Sequence, residues 1–188
     1  AKMRFIGALS VMLLAAETAF GAYKHSSTLT VGGYAGETSL ADFPLLVRVP
    51  AAVAAKCQAD GKDIAFGSED GAATYPHEID EWNQSGESLV WVKLPALAKN
   101  ATLVMKFGDE AATASSADAA KVWAGYTGVY HMNETANQGT TDFTAVDSSP
   151  LGLDLTAGGK NANRITDMIS VSGAVGRGRQ HSTVMDWS

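Results

Sequence analysis

The sequence predicts an all-β chain folded as an antiparallel β-sandwich, jelly-roll or immunoglobulin-like, on three observations. Short segments alternate polar and apolar residues with the period of two that marks half-buried strands. Turn chemistry recurs between them, as in Gly67-Ser-Glu-Asp-Gly71 and Asn83-Gln-Ser-Gly86. No long amphipathic helical pattern competes, so short strands and frequent turns leave sheet packed on sheet as the architecture.

Each element has its own grounds. Thr28-Leu-Thr-Val-Gly32 alternates. Phe43 to Val49 places Leu45, Val47 and Val49 on one face. Ala51 to Cys57 is a short, apolar, helix-like run. Lys62 to Phe66 and Thr74 to Trp82 are extended segments separated by a Gly-rich turn. Ser88 to Leu94 and Thr102 to Phe107 are rich in β-branched and aromatic residues, the clearest strand signal in the chain. Pro44, Pro76 and Pro95 are expected at strand edges or ends, where a missing N–H is tolerated. Ala111 to Ala120 is Ala/Ser-rich and reads as a linker or a short connecting helix, with the linker set at 113–122. Beyond it, Gly128 to Glu134 and Leu151 to Leu155 are strand candidates on either side of the Asp147-Ser-Ser-Pro150 turn. So few strands cannot close a second sandwich, and residues 123–188 are expected to be the opening of one, in a piece of a longer protein.

Residues 1–21 have the pattern of a signal peptide. Lys2 and Arg4 precede an apolar run from Phe5 to Ala16, and Ala19-Phe20-Gly21 offers a small-residue cleavage site. The run is shorter than the about 20 apolar residues of a transmembrane helix, and no second apolar span follows. The expected location is therefore outside the cytoplasm, in the periplasm, at the outer membrane surface or beyond the cell, with no transmembrane span in the mature chain. Net charge is -6, from 14 basic and 20 acidic residues, and no basic cluster occurs, which argues against nucleic acid as a partner. Cys57, the one cysteine, cannot form an internal disulfide and is expected as a small buried hydrophobe.

Glu78-Ile-Asp80 is the one enzymatic hint. A laminarinase-type glycosidase strand sets carboxylates on alternate positions so that two of them flank a glycosidic bond about 5–5.5 Å apart. Glu78 and Asp80 share a face in a regular strand, but the next position on it is Trp82 and the one-residue-bulged alternative is Asn83, so the second Glu is missing. Glu81 points the other way. The competing expectation is a solvated face opposite Ile79, with no catalytic residue. Trp82, Asn83, Glu78 and Asp80 then remain as candidate ligand contacts, since an aromatic face can stack on a sugar ring. Trp91, between Val90 and Val92, is assigned to core packing.

Asp60-Gly-Lys-Asp63 and Glu69-Asp-Gly71 lack the oxygen-ligand spacing of a calcium loop and read as turns. His25, His77, His131 and His181 are dispersed without ligand spacing. Gly173-Ala-Val-Gly-Arg-Gly has no helix pattern after it and is a weak phosphate signal. No metal and no cofactor are expected.

Four blocks in order carry a resemblance: Thr38 to Val49, Asp60 to Phe66, His77 to Asn83 and Leu89 to Pro95. Together they resemble a bacterial exported domain-of-unknown-function family, number twenty-three forty-one, over about 24–112. Such domains are often followed by a laminin-G or concanavalin A-like lectin module, and Trp123 to Glu134 with Asp147 to Leu155 is similar to the opening of one. Some relatives carry a channel segment of the MotA/TolQ/ExbB type, which nothing here matches. The resemblance implies a non-catalytic accessory module binding a polysaccharide or another cell-envelope component. The alternatives are a structural spacer in a large surface or envelope-transport protein, and part of a glycoside hydrolase whose acids lie outside this chain. The family offers no catalytic residues to carry over.

Overall fold

The computed structural model describes residues 22–134, 143–157, 168–173 and 177–181. The signal-peptide expectation at 1–21 lies outside them, as does the middle of the Gly173 to Gly178 motif. Seven strands form the body: β1 (His25–Thr30), β2 (Leu40–Val49), β3 (Ile64–Gly67), β4 (Thr74–Tyr75), β5 (His77–Glu81), β6 (Ser88–Leu97) and β7 (Thr102–Phe107). One sheet has the order β1-β7-β3-β4 and the other β2-β6-β5, with every pairing antiparallel. One single-turn helix, α1 (Ala51–Ala54), lies between β2 and β3, and a second, α2 (Ala119–Val122), follows β7. Two separate pairs follow, β8 (Phe143–Ala145) with β9 (Leu155–Ala157) and β10 (Met168–Ser172) with β11 (Arg177–His181).

The sandwich core follows from alternation. Val47 and Val49 of β2 and Val90, Val92 and Leu94 of β6 face Ile64 and Phe66 of β3 and Leu103, Met105 and Phe107 of β7. Ile64, Phe66, Val90 and Val92 are completely buried, each contributing about 1.5–3 kcal/mol of hydrophobic stabilisation. Cys57 joins this cluster, as expected, and its Sγ contacts the Val53 carbonyl at 3.5 Å. Burial, with the Asp63 charge behind it, pushes the thiol up to about 12, so it stays protonated and unreactive. Pro44 lies on β2, an edge strand. Between the Ala41–Ala96 and Phe43–Leu94 pairs, Asp42 takes φ 51 opposite Pro95, which has no N–H for the ladder.

β5 and β6 form a hairpin with an irregularity that decides the site. Ile79 pairs with Val90 and Glu81 with Leu89, so Asp80 is an extra residue in a β-bulge. Before the bulge, His77 and Ile79 face the core while Glu78 faces outward beside Trp91. After it the phase is reversed, and Trp82 turns inward against the core.

Two strand expectations are corrected. Gly128 to Glu134 makes only the isolated bridge Tyr130–Asp147, because Met132 adopts φ 57 and breaks the extended backbone. Leu151 to Asp154 is irregular, and β9 begins only at Leu155. There Asp147 draws the chain inward by accepting from the backbone N–H groups of Val129, Ser149 and Leu153, with Gly152 at φ 58 completing the turn. Burial opposes the charge on Asp147, but these hydrogen bonds outweigh it and bring its carboxyl to about 2. Residues 112–118 are tied to the sandwich: Gln58 donates to the Ala112 carbonyl, Ser116 to the Ile64 carbonyl and the Asp118 N–H to the His77 carbonyl. No helix among the described residues is long and apolar enough to cross a membrane.

Candidate functional site

Glu78 and Asp80 do not form a solvated face. Their side chains are only 12% and 5% exposed, because residues 119–134 and 147–149 lie over them. α2 begins this cover. Asp118 caps it by accepting from the Lys121 N–H at 3.0 Å, and Val122 and Trp123 at its end are buried. From there Trp123 Nε1 donates to Glu78 Oε2. His131 Nε2 lies 3.0 Å from the same oxygen, and Ser148 Oγ donates to Glu78 Oε1 at 2.6 Å.

Asp80 has a parallel set of partners. Trp91 Nε1 donates to Oδ2 at 3.2 Å and Asn133 Nδ2 to Oδ1 at 2.7 Å. Asn133 also reaches the Asp80 carbonyl at 2.8 Å, and His131 Nδ1 stands 3.6 Å from Oδ2. The imidazole thus lies between the two carboxylates. Its ring stacks on Trp91 at 6.0 Å between centroids, and Trp123 packs edge-on to Trp91 at 5.3 Å. Trp91 therefore belongs to this covered outer layer rather than to the sandwich core to which the sequence assigned it. Val90 and Val92, its neighbours, hold the core face.

The electrostatics favour the charged form of both His131 and Glu78. Burial opposes charge on His131, but the Glu78 hydrogen bond and the charges of Glu78, Asp80 and Glu134 prevail, and its pKa is raised. Burial likewise opposes ionisation of Glu78, yet hydrogen bonds from His131, Ser148 and Trp123 hold its carboxyl below the usual range. Glu78 is thus an anion with its oxygens occupied, the opposite of a general acid, which needs a raised pKa. Nor is this a nucleophile triad, because Ser148 and His131 both address the carboxylate instead of the hydroxyl addressing the imidazole. The described residues contain no group of three or more His, Cys, Asp or Glu arranged to hold a metal ion.

The other sequence candidates fall elsewhere. Trp82, expected beside Glu78 and Asp80, is carried to the opposite face by the bulge. Its ring covers Gly61, and its indole nitrogen is buried without a hydrogen-bond partner among the described residues. Asn83 shapes the hairpin turn: its N–H donates to Ser88 Oγ at 2.8 Å and its Oδ1 accepts from Ser85 N–H at 3.0 Å. Asp60 and Asp70 serve their own turns by accepting from Lys62 and Ala72 N–H. Sequence reasoning missed Trp123, His131, Asn133 and Ser148 as partners of the carboxylates. One signal was present: His131 and Asn133 share the two-residue spacing of Glu78 and Asp80 and supply the donors those acceptors need.

No curated protein and no solved structure matches the chain. Residues 60–145 match the family model described as a domain of unknown function, DUF2341, a stretch that holds both the Glu78–Asp80 strand and the Trp123–Asn133 segment laid over it.

Proposed function

We propose that this chain is a non-catalytic accessory module of an exported protein, acting as a structural unit that carries the segment after the sandwich in the cell envelope or outside the cell. The observation that carries the reading is the sealed pair of carboxylates. Glu78 and Asp80, the residues best placed by sequence for chemistry or ligand contact, are used up in joining residues 119–134 and 147–149 to the outer face of β5 and β6. Export rests on the residue pattern of 1–21, and a lectin-like continuation rests on the resemblance of Trp123 to Glu134 and of Asp147 to Leu155.

Glu78→Gln tests it. The substitution leaves His131 buried with a weakened partner, and breaking a buried pair in this way costs about 3 kcal/mol. The expected result is a lower urea midpoint with no hydrolysis by either protein on a panel of β-glucans, chitin and peptidoglycan. Sugar release by the parent chain that vanishes in the variant would refute the reading and restore a glycosidase.

A further inference from the structure

A groove of about 420 Å³ opens beside β4, the short edge strand of the four-stranded sheet. That is within the size range of small-ligand sites. It shares no residue with the Glu78–Asp80–His131 cluster. Tyr23, Tyr75, His77, Ser116, Asp118 and Lys121 line it.

Three features restrict what it can hold. His77 is 2% exposed, packs against Phe66 at 5.3 Å, and has a buried Nε2 without a hydrogen-bond partner among the described residues. A buried polar atom in that state is costly. Burial holds the ring neutral by pushing its pKa down to about 4, so His77 adds no cation to the wall. Second, Lys121 Nζ and Asp118 Oδ2 pair at 2.8 Å, so the groove presents no uncompensated charge from that pair. An anion would meet Asp118 and a cation Lys121. Third, two tyrosines contribute apolar ring surface together with phenolic hydroxyls, and the groups along the wall both donate and accept. Sugar hydroxyls do the same.

We propose that the groove bounded by Tyr23, Tyr75 and His77 binds an uncharged glycosyl unit. It goes beyond the structural reading above, and Tyr23, Tyr75 and His77 make none of the contacts to Glu78 and Asp80, so either can fail without the other.

The test is a titration of the full chain followed by NMR of the His77 imidazole. Cellobiose, maltose and N,N′-diacetylchitobiose are the neutral chain probes; glucose and N-acetylglucosamine are the free-sugar probes; galacturonate and glucosamine are the charged counterparts. At least one neutral probe is expected to shift the His77 resonances at millimolar concentration. A preference for the disaccharides identifies a glycan chain as the source, and equal response to monosaccharides identifies free sugar. Tyr23→Ala and Tyr75→Phe, the latter keeping the ring that packs on the core, are each expected to weaken binding about tenfold. No shift with any neutral probe overturns the proposal. So does tighter binding of galacturonate or glucosamine, or binding unchanged in both variants.

Discussion

Gly61 shows how one residue fixes what another can do. It sits at φ 68, and a Cβ placed there would lie 2.6 Å from the Trp82 ring. Only glycine allows both the left-handed turn after Asp60 and the inward seat of the indole. Gly61→Ala therefore combines backbone strain with overpacking and is expected to destabilise the chain by on the order of 3 kcal/mol. Urea unfolding measures it, and an unchanged midpoint would mean that Trp82 does not rest on this turn. The Asp60-Gly61 turn was legible from residue type, because Asp-Gly has few other uses. Its role as the floor under Trp82 was not, since that depends on the direction of a side chain twenty-one residues further on.

At the scale of elements, the strand segments were legible and their pairing was not. The period of two in Ser88 to Leu94 places Val90, Val92 and Leu94 inward whatever the neighbouring strand does. The bulge at Asp80 arises from register between β5 and β6, and β5 by itself reads as regular alternation. For that reason Trp82 moved out of the candidate site while Glu78 and Asp80 stayed together. The histidines that flank β5 on its two faces give this region opposite pH dependences. On the core face His77 has a depressed pKa: the neutral ring is favoured above 6.5, and stability is lost as pH falls from there toward about 4. On the outer face His131 has a raised pKa, so its contribution is complete below 6.5 and is lost as pH rises through the folded value. Glu78, with a lowered pKa, contributes above its ordinary 4.5 and loses that contribution as pH falls through its folded value. Melting temperature against pH should then be dome-shaped. His77→Phe is expected to flatten the acid limb between 6.5 and about 4, and His131→Gln the alkaline limb. Variant curves running parallel to the parent across the whole range would contradict both assignments.

For the whole molecule, the deciding fact is how much of the chain after residue 112 depends on the sandwich before it. Trp123 is 5% exposed and Val122 fully buried, and both owe that burial to the outer face of β5 and β6. His131, Asn133 and Ser148 spend their polar atoms on Glu78 and Asp80 rather than on each other. Beyond them, Val146, Leu151, Leu153 and Leu155 are more than half exposed, so this stretch buries little apolar surface of its own. Residues 113–188 expressed alone are accordingly expected to show no cooperative melt by circular dichroism. The complementary piece ending at Ala112 keeps all seven strands and the core from Val47 to Phe107. It is expected to melt cooperatively, at a lower temperature than the full chain, because removal of the cover leaves Trp91 in water and Glu78 and Asp80 as neighbouring, unpaired anions. A sharp transition in 113–188 would show instead that this stretch carries its own core. The contacts with β5 and β6 would then be docking between two finished units, and neutralising the carboxylates would separate those units without unfolding either one.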